Sequence, residues 1–125
     1  MTITITYSQS NGLIVNSDGG QIAAGWAGHG QGKNNPIMED VQCVGPLPRG
    51  LYRVGEWQTH PRLGQHCAPL TQVQGESFGR SGFWIHGPSR DPEKYGQESE
   101  GCIVVPHDPR LGLEALAPDY VQVIA

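Results

Sequence analysis

Polar and apolar residues alternate from the start of the chain. Thr2-Ile3-Thr4-Ile5-Thr6-Tyr7 predicts a strand with one buried face. Asn11-Gly12 follows, a dipeptide whose members both tolerate positive φ, and Leu13-Ile14-Val15 then pairs back as a second strand. A turn at Asn16-Ser17-Asp18-Gly19-Gly20 leads to a third, Gln21 to Trp26, completing an antiparallel meander. Ala27 to Asn35 reads as a Gly-rich surface loop around His29. Gly45-Pro46-Leu47-Pro48-Arg49-Gly50 is a rigid turn, because proline fixes φ and removes a donor.

Leu51 to Trp57 is the next strand, with a bulge at Gly55 to repair imperfect alternation. Thr59 to Pro69 is polar and irregular, and Leu70 to Gln74 is a short strand. The loop 75–82 leads into a strand at Phe83–Ile85, and a second apolar run occupies Ile103–Val105. Asp108 as N-cap with Pro109 behind it predicts a short helix over 109–116, stopping before Pro118. Tyr120 to Ile124 alternates and closes the sheet. The pattern predicts a mainly β single domain over residues 1–125. It has roughly seven to nine short strands and one or two short helices, arranged as a β-sandwich or a partly open β-barrel.

Composition sharpens this. At 125 residues the chain buries a core unaided, and 18 glycines with 10 prolines fit many tight turns. A net charge of −4 lacks the basic footprint expected for nucleic acid or an anionic membrane. No apolar run approaches the roughly 18 residues that span a bilayer. The beginning of the sequence has no basic n-region and no cleavage site, so the expectation is synthesis in the cytoplasm without a signal peptide. Three cysteines leave at least one thiol free. Cys43 and Cys67 read either as a disulfide or as two small, partly buried hydrophobes.

The chemistry concentrates in Phe83-Trp84-Ile85-His86-Gly87 and Ser99-Glu100-Gly101-Cys102-Ile103-Val104-Val105, separated by a polar loop. A thiol is a nucleophile only as thiolate, and a histidine can supply the base. Gly87 offers a carbonyl to the imidazole, Gly101 allows a strained turn, and Ser99 can pin that turn. Backbone N–H groups around Glu100 to Cys102 can face an oxyanion. The bland alternative is a buried cysteine on a strand beside a surface histidine.

Other candidates carry less. His86, Cys102 and His107 lack the tight paired spacing of a zinc site, so no metal or other cofactor is expected. His60 and His66 lie in a polar stretch, where either is solvated or one contacts substrate. His29 sits in a Gly-rich loop without a phosphate-cradle motif. Trp26, Trp57 and Trp84 read as core before stacking platforms. Asp91, Glu93, Glu98 and Glu100 make either a solvated loop or an attraction for an amine or a basic partner.

His86-Gly87, a loop and Ser99-x-Gly101-Cys102-Ile103 together resemble the active-site signature of L,D-transpeptidases with the YkuD-type catalytic domain. Gly79-Arg80-Ser81-Gly82-Phe83 and Ser99-Glu100-Gly101-Cys102-Ile103-Val104 are similar to one branch of it, the short toxin domain delivered by type VI secretion. Ser10-Asn11-Gly12, the Gly28-to-Pro36 loop and Val44 to Tyr52 extend the resemblance over most of the chain.

The resemblance implies the L,D-transpeptidase catalytic fold and acyl transfer on peptidoglycan stem peptides. Cys102 would attack the carbonyl of the third residue of a tetrapeptide and expel the terminal D-alanine. The acyl-enzyme would pass to water, to a D-amino acid or to another stem. His86 would be the base, Gly87 would orient it, Ser99 would brace the turn, and the N–H groups of Gly101 and Cys102 would hold the oxyanion. Arg80, Ser81 and Glu100 would contact substrate, with Arg80 binding a stem carboxylate or supporting the site.

Glu100 stands where the wider family often has His or Asn, and Val104 where it commonly has Arg. The resemblance further implies an immunity protein and a secretion component as partners, and action in the periplasm of a target bacterium. A non-catalytic peptidoglycan-binding or phage cell-wall module is the alternative. A papain-like amidase would place Cys before His, the reverse of this chain.

Overall fold

The computed structural model describes residues 2–125, so Met1 of the N-terminal expectation lies outside the described residues. The strands are β1 (Thr4–Ser8), β2 (Leu13–Val15), β3 (Gln21–Ala24), β4 (Trp26–Ala27), β5 (Gly50–Val54), β6 (Gln58–His60), β7 (Gly64–Gln74), β8 (Phe83–His86), β9 (Ile103–Val104) and β10 (Tyr120–Ile124). One α-helix, α1, spans His107–Leu116. Short 3-10 turns occupy Gly30–Gly32 and Pro36–Met38.

The sheet runs β3-β2-β1-β10-β5-β7-β8-β9-β4, with β6 paired to β7. Its two ends, β3 and β4, are consecutive in the chain and separated only by Gly25. The sheet therefore curls on itself into a nearly closed barrel, which leaves few free edges. Of the two expected architectures, the mainly β barrel is the one present.

Alternation builds the core. Ile5 and Tyr7 of β1 point inward and lie in register with Val121 and Val123 of β10, to which β1 is parallel. Ile14, Tyr52, Leu70, Ile85 and Ile103 complete the interior, and Leu113 packs α1 against it. Each fully buried aliphatic side chain contributes roughly 1.5–3 kcal/mol.

Four local expectations change. The third strand breaks at Gly25 into β3 and β4, at opposite ends of the sheet. The strand from Leu51 ends at Val54 rather than bulging at Gly55, whose N–H goes to Pro69 O at 2.8 Å. The polar 59–69 stretch holds β6 and most of β7, an 11-residue strand. Half of that hairpin is exposed, so its polar residues hide the alternation. The helix begins two residues before Pro109, with Pro106 rather than Asp108 at the N-cap position and no side-chain cap, and Ala117 follows its end in a left-handed conformation. The opening meander and the closing strand are as expected.

Candidate active site

Strands β8 and β9 are parallel, with Ile85 opposite Ile103 and His86 opposite Val104. Phe83 and Ile85 face the core, so the two-residue period turns Trp84 and His86 outward. Cys102 precedes β9 at the level of Trp84 and opens onto the same face. His86, Cys102, Trp84, His60, Arg62 and Glu100 all line one groove of about 500 Å³.

His86 is buried, and its Nδ1 lies 2.8 Å from Gly87 O. A carbonyl only accepts, so Nδ1 carries the proton and Nε2 presents a lone pair. Burial holds the imidazole below its ordinary 6.5, with the Gly87 carbonyl and Glu98 opposing and Arg110 reinforcing the drop. His86 is thus a neutral base at neutral pH. Arg110 is itself buried and donates from Nη1 to Val105 O at 2.8 Å. Its guanidinium fills the space a side chain on residue 87 would need, so a larger residue there would have to displace it.

Cys102 is half-buried, and desolvation pushes its thiol up to about 11, opposed by the Trp84 backbone amide and Arg80 and reinforced by Glu100. The resting pair is a neutral thiol and a neutral imidazole. The turn before the sulfur is fixed by Ser99, fully buried, whose hydroxyl uses its whole capacity. It donates to Cys102 O at 2.6 Å and accepts from Gly28 N at 2.9 Å and Gly101 N at 3.2 Å. Gly101 adopts φ +131, and a Cβ there would lie 2.7 Å from both Arg80 Nη2 and the Phe83 ring. The Gly101 N–H is tied to Ser99, which corrects the expected pair of oxyanion donors. Of these two N–H groups, that of Cys102 donates to no oxygen among the described residues.

For Arg80 the hydrogen bonds favour the second of the two expected roles, support of the site. Arg80 is buried, and its guanidinium donates to Glu39 O at 2.6 Å, Pro46 O at 2.7 Å, Gly45 O at 3.0 Å and Glu100 O at 3.1 Å. With four carbonyls served, it supports the site rather than receiving a stem carboxylate. Ser81 and Glu100 are exposed on the groove.

The loop between His86 and Cys102 is built, not merely solvated. Glu98 accepts from Trp26 Nε1 at 3.1 Å, Gly96 N at 2.9 Å and Ser89 N at 2.7 Å. Tyr95 packs on Trp26 with ring centroids 5.4 Å apart. His29 holds the cysteine turn from outside, its Nδ1 2.8 Å from Ser99 O. Sequence reasoning missed the roles of Arg110, Glu98 and His29. Their partners lie across the fold, and only the glycines at 28, 87 and 101 hint at close approach.

The remaining candidates separate. His107 opens α1 beside Asp108 and faces His66, with ring centroids 6.2 Å apart, and does not line the groove. Among the described residues no His, Cys, Asp and Glu cluster is placed to hold a metal ion. Cys43 is exposed and Cys67 buried, and all three thiols are free. Trp26 is core, Trp57 packs partly against it, and Trp84 lines the groove.

The barrel is the fold of L,D-transpeptidase catalytic domains. It matches an L,D-transpeptidase from Mycobacterium smegmatis at a TM-score of 0.60 and 16% identity, covering 98% of this chain and 58% of that one. L,D-transpeptidase 3 from Mycobacterium tuberculosis matches at 0.61 and 14%, covering 99% and 61%. The catalytic domain of the E. faecium L,D-transpeptidase acylated by ertapenem matches at 0.51 and 19%, covering 99% and 98%. The chain thus spans about 60% of the two mycobacterial proteins. Residues 21–117 match the model of the Tlde1 domain, and the chain belongs to that family. No curated protein sequence matches it significantly.

Proposed function

We propose that the chain is a peptidoglycan-acting cysteine enzyme, an L,D-transpeptidase or L,D-carboxypeptidase on tetrapeptide stems. One observation carries the reading: the Gly87 carbonyl fixes the His86 tautomer so that Nε2 offers a lone pair on the groove that Cys102 lines. The L,D-transpeptidase fold and the Tlde1 family support it.

The chemistry follows from the neutral resting pair. His86 Nε2 takes the thiol proton as Cys102 Sγ attacks the carbonyl carbon of the third stem residue. The oxygen gains charge beside the Cys102 N–H. The tetrahedral species collapses, the C–N bond breaks, and His86 returns the proton to the amine of the departing D-alanine. Water or a D-amino acid then attacks the thioester, with His86 as base again. Glu100, exposed beside the nucleophile, suits the side-chain amine of a diamino acid.

Delivery by a secretion system into the periplasm of a rival bacterium, with an immunity protein in the producer, belongs to the same proposal. The second reading is a wall-binding module without catalysis. Release of D-alanine from purified tetrapeptide muropeptides separates the two. The wild-type chain is expected to release it and Cys102→Ala to release none. Equal rates from both proteins would overturn the assignment.

A further inference from the structure

The β6–β7 hairpin adds a second histidine and an unpaired cation to the groove. His60 closes β6 and stands edge-on to Trp84, with ring centroids 4.9 Å apart. Its Nδ1 accepts the backbone N–H groups of Arg62 at 3.0 Å and Leu63 at 3.2 Å. Nδ1 therefore carries the lone pair in the neutral ring, and Nε2–H is a donor. This is the opposite tautomer to His86. Arg62 is exposed on the same groove and pairs with no carboxylate among the described residues. The other groove arginine, Arg80, is committed to four backbone carbonyls. His60 and Arg62 line the same groove as His86 and Cys102.

These positions have a chemical consequence. His86 must return its proton to the leaving amine, so the residue bearing that amine sits on the His86 side of the scissile carbon. If that residue is terminal, its carboxylate carbon is two bonds from the amine nitrogen, within roughly 3 Å. The donors beside His86 are then the ones that meet a carboxylate. A guanidinium fork and an imidazole N–H fit that anion.

We propose that His60 and Arg62 form the subsite that binds the α-carboxylate of the departing D-amino acid, and of any D-amino acid that enters in exchange. The second half follows from microscopic reversibility, since the entering amine retraces the leaving path. This inference rests on the peptidoglycan reading above and adds a requirement for a free carboxylate next to the cleaved bond.

The test compares a tetrapeptide muropeptide with its C-terminal amide, which keeps the scissile bond and loses the anion. Wild type is expected to cleave the free acid with kcat/KM at least about tenfold above that for the amide, as for loss of a charged hydrogen bond. Arg62→Ala should lower kcat/KM for the acid by about the same factor, mostly through KM, and so erase the preference for acid over amide. Arg62→Lys should recover part of the preference. His60→Phe, which keeps a ring against Trp84 but removes the donor, should weaken it in the same sense. Thermal melts confirm that each variant is folded. If Arg62→Ala and His60→Phe keep the wild-type preference, the subsite is wrong while cleavage by wild type leaves the peptidoglycan reading intact. Equal cleavage of acid and amide by wild type overturns it in the same way. If wild type cleaves neither, the peptidoglycan reading falls and the subsite falls with it.

Discussion

A single carbonyl decides what His86 can do. Because Gly87 O takes the Nδ1 proton, the groove-facing nitrogen is a base, and burial keeps it unprotonated below the ordinary histidine value. The pH dependence follows. kcat/KM for D-alanine release should rise on the acid side with a midpoint below 6.5, then stay level as far as the thiol range near 11. An acid midpoint above 7 would mean a charged, solvated histidine and would contradict the geometry. Stability has the same sign. An unfolded His86 takes up a proton before the folded one does. The His86 contribution is therefore complete above pH 6.5 and is lost as the pH falls from there towards the lower folded-state value. The sequence showed the two chemical groups and the Gly87 carbonyl. It did not show Arg110, which lies 23 positions beyond Gly87 (110 − 87) and meets it only because α1 folds back onto the sheet.

At the scale of elements, the site is a strand pair plus two clasps. Strands β8 and β9 were legible as apolar runs, and their parallel pairing puts His86 and Cys102 on one face. The clasps were not legible. The Gly28-to-Gly30 loop reaches Ser99 and Gln97 with backbone N–H groups, and Glu98 gathers three N–H donors from residues 26, 89 and 96. In the sequence Glu98 is one acid among several, with nothing to mark it as the organiser. Glu98→Ala should leave the barrel intact but release the 88–98 loop, since those donors lose their acceptor. Hydrogen exchange should show faster amides at Ser89 and Gly96, with little change in β1 and β10. Unchanged protection at Ser89 and Gly96 would mean that Tyr95 packing on Trp26 holds the loop without the carboxylate. The β6–β7 hairpin was the largest omission, because its exposed, polar half carries no hydrophobic alternation to read.

For the whole molecule, the strand break at Gly25 matters most. It lets one short segment supply both ends of the sheet, so the ten strands among the described residues curl into a nearly closed barrel. Alternation predicted a barrel or a sandwich but not which strands meet, because β1 pairs with β10 from the far end of the chain. The barrel offers the groove on one side, with an acidic Glu100 and the cationic Arg62 both on its lining. Under the proposed function, harm depends on compartment. The chain directed to the periplasm should lyse or round the host, and the same chain kept in the cytoplasm should not. Equal toxicity in both compartments would point to a target other than the wall.

The claim on which the rest depends is that Cys102 forms a thioester with the stem peptide. Intact-protein mass spectrometry after rapid mixing with a tetrapeptide muropeptide tests it directly. The expected result is a transient adduct on the wild-type chain, equal to the substrate minus D-alanine, mapped by digestion to Cys102 and absent from a folded Cys102→Ala variant. An adduct on another residue, or D-alanine release by the variant at the wild-type rate, would contradict it.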